Sequence, residues 1–600
     1  MKRFITLLLI TFTTYTIKAA SGPLDQALSD LKINGHSLCY VTDLNCYLCT
    51  IPLSTFGNSQ TVLVNYTLND GWGKLRIDGN LVTDDQEYTF RSVEGSKDYK
   101  LNISYSNGKT ISAKMKFTSL PIVILDGSFD NSYKEGHIII QEPETTQEKQ
   151  FNAKAKRRGS ISNAFEKHKH NYHVKLLDEG GDKLDQKLFG LRNDNSWILE
   201  SGLTDMLRIR NRILTDLWND FSTKPYYALQ EKNPRTGTRG RFVELVMNGE
   251  YRGIYCMTEN LDRKQMKLKK YDEETGILHG QLWKAKTWSY AVFMGHDIDE
   301  DNYTMAPPVD YDNLSEMWEE YYLKYPNLED VSPTDWQPLY DAVNFVCTAS
   351  DDDFKLHVSD YFDLPVIIDY YILMEAIMST DNHGKNLFYA IYDQQKDRRI
   401  TLGVWDMDAT LGQRWSHLYY HWEGMRPEQD YTAYIINNEH GDFNLFRRLR
   451  LTDADNFNEK VRERYHDLRQ GLLGTDSILN RFRHQLAEFK ICGADTREYK
   501  KWSRDSDIEG NVLDFDAEMA YIEDWLTRRL NYLDTIRFDL TSIPTGGISD
   551  LKYTPAAASH RRGVYNLHGQ QISRESNEQL LHTLPPGLYI VNGQKKFVGM

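Results

Sequence analysis

Through the first hundred residues after the N-terminus, apolar and polar positions alternate with period two and are broken by turn residues. Thr61-Val62-Leu63-Val64-Asn65-Tyr66-Thr67-Leu68 runs into Asn69-Asp70-Gly71, and Leu101-Asn102-Ile103-Ser104-Tyr105 into Ser106-Asn107-Gly108. Such runs predict a small β-sandwich over 21–118, a module suited to adhesion or spacing. From Leu120 the pattern changes. Pro121-Ile122-Val123-Ile124-Leu125 and Gly136-His137-Ile138-Ile139-Ile140 predict strands, followed by a basic stretch. Met206, Ile209, Ile213, Leu217 and Phe221 recur at helical spacing behind Thr204, a candidate cap. Asn248-Gly249 separates two apolar runs and predicts a tight hairpin. Residues 366–380 predict an apolar helix with a hairpin behind it. Beyond about residue 440 the period is helical, with Met519, Ile522, Leu526, Leu533 and Ile536 marking one buried face. The expected class is α+β, with a strand-rich part leading into a helical part over 119–540. Pro544, Gly546-Gly547 and Ala556-Ala557-Ala558 predict a linker over 541–562. Two short strand patterns with the turn Asn592-Gly593 predict a small β module over 563–600.

Composition narrows the classes. Hydrophobic residues make up 40% of the 600, too many for disorder, and 86 acidic against 71 basic residues leave −15, which disfavours general nucleic-acid binding. The chain opens Met1-Lys2-Arg3, continues with an apolar run, and reaches Ala19-Ala20-Ser21, so 1–20 read as a secretory signal peptide. About 14 residues separate Arg3 from Lys18, too few to span a bilayer, and no other segment is long and apolar enough. The expected location is the periplasm, the cell surface or the medium. Cys39, Cys46 and Cys49 cluster near His36. A local disulfide or plain burial explains them more simply than zinc, while Cys256, Cys347 and Cys492 sit in apolar runs and read as buried thiols. Nine carboxylates and no Lys or Arg fall within 297–320, the pattern of a solvated acidic loop.

The chemistry concentrates in Ser379-Thr380-Asp381-Asn382-His383-Gly384-Lys385-Asn386, continued by Trp405-Asp406-Met407-Asp408. Asp381 falls in the loop after an apolar helix. Asn386 opens one strand of the following hairpin and Asp406 closes the other. If Tyr392 lies opposite Ile400, strict antiparallel pairing sets Asn386 opposite Asp406, and a slip of two residues substitutes Asp408. A carboxylate to take a hydroxyl proton and oxygen ligands for Mg²⁺ are the parts that phosphoryl transfer needs, and Asp, Asn, Asp in that order is the kinase order. Positive charge comes from Lys154, Lys156, Arg157, Arg158, Lys167, Lys169 and Lys175. Within that run Arg158-Gly159-Ser160-Ile161-Ser162-Asn163 can wrap a phosphate through backbone N–H groups. Neither GxGxxG nor GxxxxGK[ST] occurs, which excludes an ordinary protein kinase and a P-loop enzyme.

These residues carry a resemblance. Arg158-Gly159-Ser160-Ile161-Ser162, Lys169 to Leu176, Leu188-Phe189-Gly190-Leu191, Asp194 to Leu199, Arg210-Asn211, Phe242 to Arg263, Leu282-Trp283-Lys284-Ala285, Asp381 to Asn386 and Trp405 to Asp408 resemble, in that order, the segments of the spore-coat CotH kinase-like family. The similarity covers roughly 120–538. It implies an atypical, secreted, two-lobed protein-kinase-like fold that binds ATP with Mg²⁺ or Mn²⁺ and phosphorylates Ser or Thr hydroxyls of a protein. Asp381 would be the catalytic acid/base, and Asn386 and Asp406, with Asp408, the metal ligands. Arg158, Gly159 and Ser160 would contact the nucleotide. Lys169 would contact phosphate with Glu259 as its orienting partner, and Lys284 is the rival lysine. His170 and Asn171 depart from the family's lysine and serine, and Asn260 stands where lysine is frequent. The C-terminal Gly563 to Gly569 and Leu584 to Val591 resemble sorting modules of exported Bacteroidota proteins. Two other readings stand beside the kinase: a DxD glycosyltransferase using Asp406-Met407-Asp408, and a non-catalytic surface or structural protein with a kinase-like core. The acceptor, a cell-surface protein or a glycan, is not specified by the residues.

Overall fold

The computed structural model describes residues 21–159, 163, 169–295, 307–329, 331–414, 421, 424–431, 443–503 and 513–540, and the backbone of four strands beyond them. The expected signal peptide and the linker over 541–562 lie outside the described residues.

The first part of the chain forms two sheets around one core. Leu28–Ile33, His36–Ser37, Gln60–Leu68 and Gln86–Phe90 make a four-stranded sheet, and six further strands ending with Thr110–Thr118 make the other. Alternation puts Val62, Val64, Leu101, Ile103, Met115 and Phe117 into the core. There Phe90, Tyr99 and Phe117 meet edge to face, with centroids 4.9–5.2 Å apart. All six cysteines are free and buried, and His36 is bonded to the carbonyls of Glu142 and Thr145.

Seven strands next close into a barrel in the order Ile122–Gly127, Lys134–Gln141, Lys149–Arg158, Asn171–Leu177, Ser196–Glu200, Glu250–Thr258 and Gly240–Met247. The closing ladder between the first and last of these is parallel, Ile124 standing opposite Val246. Val123, Leu125, Ala153, Ala155, Val174, Trp197, Leu199, Tyr255 and Met257 fill the barrel, so their neighbours Arg158, Glu200 and Cys256 face outward. Asn248 and Gly249 take φ of 50° and 78°, the pair of positive angles a two-residue primed turn requires.

A five-stranded sheet follows, in the order Met317–Trp318, Tyr321–Tyr325, Gln281–Ala285, Leu387–Ile391 and Thr401–Val404. Helices pack beside it. Leu364–Ile377 is buried on every face, as a helix apolar all round must be. Its two charges are matched: Arg464 lies 2.7 Å from Asp369, and Arg529 and Arg537 lie 2.9 and 3.1 Å from Glu375. The helices from 444 onward, ending with Phe515–Tyr532, complete the core. The fold is α+β with a sheet-rich N-terminal region. Beyond 540 the chain forms a separate unit, in which Gln571–Ser573, Val564–Tyr565, Gly587–Val591 and Gln594–Val598 make a four-stranded sheet. Among the described residues no helix is long and apolar enough to cross a membrane.

Two expectations fail for local reasons. The helix predicted from Thr204 starts at Arg210, because Arg208 takes φ of 67° and Asp205 accepts from the backbone N–H groups of Leu207 and Arg210. Met206 and Ile209 are buried without being helical, so their spacing misleads. Ile536, expected on the buried face, is 67% exposed. The chain widens to a π turn at Leu533–Arg537, and Ile536 within it leaves the face that the α-helical period assigns.

A buried ion pair ties the barrel to a helix distant in sequence. Arg497, in Ala494–Trp502, donates to both Glu244 oxygens at 2.6 and 2.8 Å, and neither side chain is more than 4% exposed. Arg497→Ala strands a buried carboxylate and is expected to destabilise the fold by about 3–5 kcal/mol. Replacing both residues by Leu and Met recovers most of the loss, read as the shift in denaturant midpoint.

Candidate active site

The loop bearing Asp381 is held from several sides. The apolar helix ends at Met378, whose φ of 47° stops helical propagation. The chain is then stitched to the segment after the next hairpin. Thr380 N donates to Ala409 O at 3.1 Å, and Leu411 N to Ile377 O at 2.9 Å. The Asn382 amide donates to Trp405 O at 2.6 Å and accepts from Ser379 Oγ at 2.6 Å. The Tyr370 hydroxyl caps the Asn382 carbonyl. This clamp brings Asp381 beside Asp406, 25 residues further on.

The hairpin reaches the same end by a register other than the expected one. Leu387 pairs with Val404 and Ala390 with Thr401, one residue off the pairing of Tyr392 with Ile400. A one-residue slip turns side chains to the opposite face of a regular ladder. Asn386 and Asp406 escape that rule because both leave strand geometry, with φ of 56° and 61°.

The residues so placed line a cavity of about 650 Å³ against the outer wall of the barrel. Asp381, Asn386, Asp406, Asp408, Lys284, Arg158 and Gly159 all lie on it. Asp381 Oδ1 pairs with Lys385 at 2.9 Å, and its Oδ2 accepts from the Asn386 amide at 2.8 Å. Burial raises the Asp381 pKa, Lys385 opposes the rise and Asp406 adds to it. Burial, and then Asp406, push the Asp408 carboxyl well above its usual range, although the Thr204 hydroxyl donates to it. Lys284 falls to about 7, chiefly by burial and against the pull of Asp406. Its ammonium sits 5.5 Å from the Trp405 ring centre, and the Arg158 guanidinium lies 5.4 Å from the same ring.

Asp406 is the hub of this field, since it raises Glu200, Asp381 and Asp408 alike. Several carboxylates crowded into one half-enclosed space repel each other, and a cation bound among them relieves the repulsion. No group of three His, Cys, Asp or Glu side chains arranged to hold a metal alone occurs among the described residues. Asp406, Asp408 and the Asn386 amide oxygen supply hard donors only, so they suit Mg²⁺ or Mn²⁺ completed by ligand phosphate and water.

Residues 155–533, more than half of the chain, match the family model described as CotH kinase protein. The chain belongs to the CotH kinase family. No curated protein matches it. The matched span begins in the barrel strand that carries Arg158 and ends just past the last long helix.

Against the pairing expected from kinase logic, Lys169 and Glu259 do not meet. Lys169 is fully buried away from the cavity, its Nζ 2.8 Å from Glu498 Oε1 and 2.5 Å from Ile254 O. Glu259 takes Arg239 at 2.8 Å, Arg192 N at 2.8 Å and Gln265 at 3.0 Å. The rival, Lys284, does line the cavity, as do Lys286, Lys324 and Lys385. Ser160 lies outside the described residues. Of the departures from the family pattern, Asn171 lines the cavity and accepts from Ser201 N, whereas Asn260 is bonded to Ser196.

Two side chains here carry no role in the sequence reading. Glu200 closes an apolar strand and faces outward into the cavity. Its pKa rises to about 7 by burial and the Asp406 charge, against Arg158. Asn211 joins the parts, donating to Glu200 Oε2 at 3.0 Å and accepting from Met407 N at 2.9 Å. A charge ending an apolar strand was the available signal for Glu200. Because its carboxylate is ionised only above about pH 7, divalent-cation affinity is expected to fall by up to about tenfold between about pH 8 and about pH 6. Glu200→Gln flattens that dependence in calorimetric Mn²⁺ titrations.

Proposed function

We propose that the protein is an exported, atypical kinase that transfers the γ-phosphoryl group of ATP to a Ser or Thr hydroxyl of a protein, using Mg²⁺ or Mn²⁺. The observation that carries this reading is the Asp381–Asn386 hydrogen bond within one cavity shared with Asp406, Asp408, Lys284 and Arg158. In this reading the barrel forms one lobe and the five-stranded sheet with the helices packed beside it the other, with the cavity between barrel and sheet.

Asp381 orients the acceptor hydroxyl and takes its proton as the oxygen–phosphorus bond forms and ADP departs. Its raised pKa makes it a stronger base than an exposed aspartate, while Lys385 keeps it ionised. Asn386, Asp406 and Asp408 would hold a divalent cation, which would supply charge neutralisation at the phosphate oxygens. Lys284 and Arg158 face the phosphates. Lys284 titrates near 7 while the cavity lacks an anion, and a bound phosphate favours its charged form. Asn211 keeps Glu200 and the Asp406 segment in place. The basic, then apolar, then small-residue start of the chain supports action in the periplasm, at the cell surface or outside.

Transfer of label from γ-labelled ATP to the protein itself or to a Ser-rich substrate tests this. Asp381→Ala is expected to lower turnover by about 10²–10⁴-fold with nucleotide affinity retained. Asp406→Ala removes the metal dependence of binding. Transfer from a nucleotide sugar without use of ATP overturns the proposal in favour of a DxD glycosyltransferase, and absence of nucleotide affinity in the presence of metal favours a non-catalytic protein.

A further inference from the structure

A run of lysines leads out of the cavity that phosphate binding at Lys284 and Arg158 does not use. In the strand Lys149–Arg158, Ala153 and Ala155 point into the barrel, so Lys154, Lys156 and Arg158 share the outer face at two-residue steps. Lys175 stands opposite Lys154 on the next strand. The ammonium groups of Lys154, Lys156 and Lys175 surround the Tyr133 ring at 5.8, 4.8 and 4.8 Å. Across the mouth, Lys286 and Lys324 flank the Tyr322 ring at 4.5 and 5.7 Å, and Tyr322 pairs with Lys284.

Among the described residues, none of Lys154, Lys156, Lys175, Lys286 and Lys324 has a carboxylate within 4.0 Å. The two groups form one field. After burial, Arg158, Lys286 and Lys156 lower the pKa of Lys324 against Glu316, and Lys154, Lys183 and Lys156 lower that of Lys175 against Glu329. Like charges held this close repel unless an anion lies over them. They do so on a chain whose net charge is −15, so the strip is a local inversion of the overall balance.

We propose that this strip docks the acceptor, and that the acceptor is an extended acidic peptide whose hydroxyl residue reaches Asp381; this names the substrate class of the site and rests on the phosphotransfer reading above. Alternate side chains of an extended peptide repeat every 6.8 Å or so, the spacing of Lys154 and Lys156 along their own strand, with Arg158 next in line at the phosphates. Carboxylates at every second position therefore fall over successive cations as the peptide approaches the cavity. That periodic match favours a peptide over a polysaccharide or a lipid surface.

The test is fluorescence anisotropy on the full-length chain, with labelled Ser peptides carrying Asp and Glu, or Gln, at alternate positions. The acidic peptide is expected to bind about tenfold more tightly than its Gln counterpart at about 50 mM salt, and to weaken steeply at about 300 mM. A Lys154→Gln, Lys156→Gln, Lys175→Gln variant loses that preference with its melting temperature unchanged. Equal binding of the two peptides, tighter binding of a Lys-flanked peptide, or an unaltered triple variant overturns the proposal. So does stronger strip-dependent binding of heparin or of phosphatidylglycerol vesicles. The readout needs no phosphoryl transfer, so acidic-peptide binding by a protein that lacks turnover supports this surface while the transfer chemistry fails.

Discussion

The site depends on holding like charges together. Asp381 and Asp406 sit in segments that electrostatics alone would separate, and the Asp406 charge adds to the burial that raises the Asp381 pKa. What keeps them adjacent is a short backbone clamp. Asn382 bonds Trp405 O, Thr380 bonds Ala409 O, and Ser379 and Tyr370 fix Asn382 in turn. Polar groups buried in this way are worth most when every member is satisfied. The repulsion stored among the carboxylates is then available to a cation and its phosphates.

The clamp works because its base is stiff. The helix Leu364–Ile377 is buried on all sides and anchored at Asp369 and Glu375 by arginines from helices 95 and 154 residues away. The barrel contributes the opposite wall. Its packed interior fixes which side chains alternate outward, so Arg158, Glu200 and Cys256 reach the cavity. Lys169 and Arg208 converge on Glu498, whose helix also carries the Arg497–Glu244 pair. The lysine expected at the phosphates thus serves the joint between barrel and helix. Lys284, on a different sheet, occupies the cavity instead.

Much of the fold was legible because local patterns and burial agree. The N-terminal alternation, the Asn248-Gly249 hairpin, the apolar helix before Asp381 and the late helical region all follow from residue type and period. Period failed where burial was reached without regular structure. Met206 and Ile209 are apolar and buried in a non-helical segment, and Ile536 lies within a π turn that sequence spacing does not announce. Thr204, read as a helix cap, instead donates to Asp408 across the cavity.

The order of Asp381, Asn386 and Asp406 along the chain was enough to nominate the chemical groups, and the ordered segments from Arg158 to Asp408 the family, since those identities are local. Their convergence was a tertiary matter. Left-handed backbone at Asn386 and Asp406 undoes the effect of a one-residue register shift, and φ at such positions is set by the contacts around them. Pair choice was tertiary as well. A buried ammonium takes whichever carboxylate the packing presents, and for Lys169 that is Glu498, more than three hundred residues away.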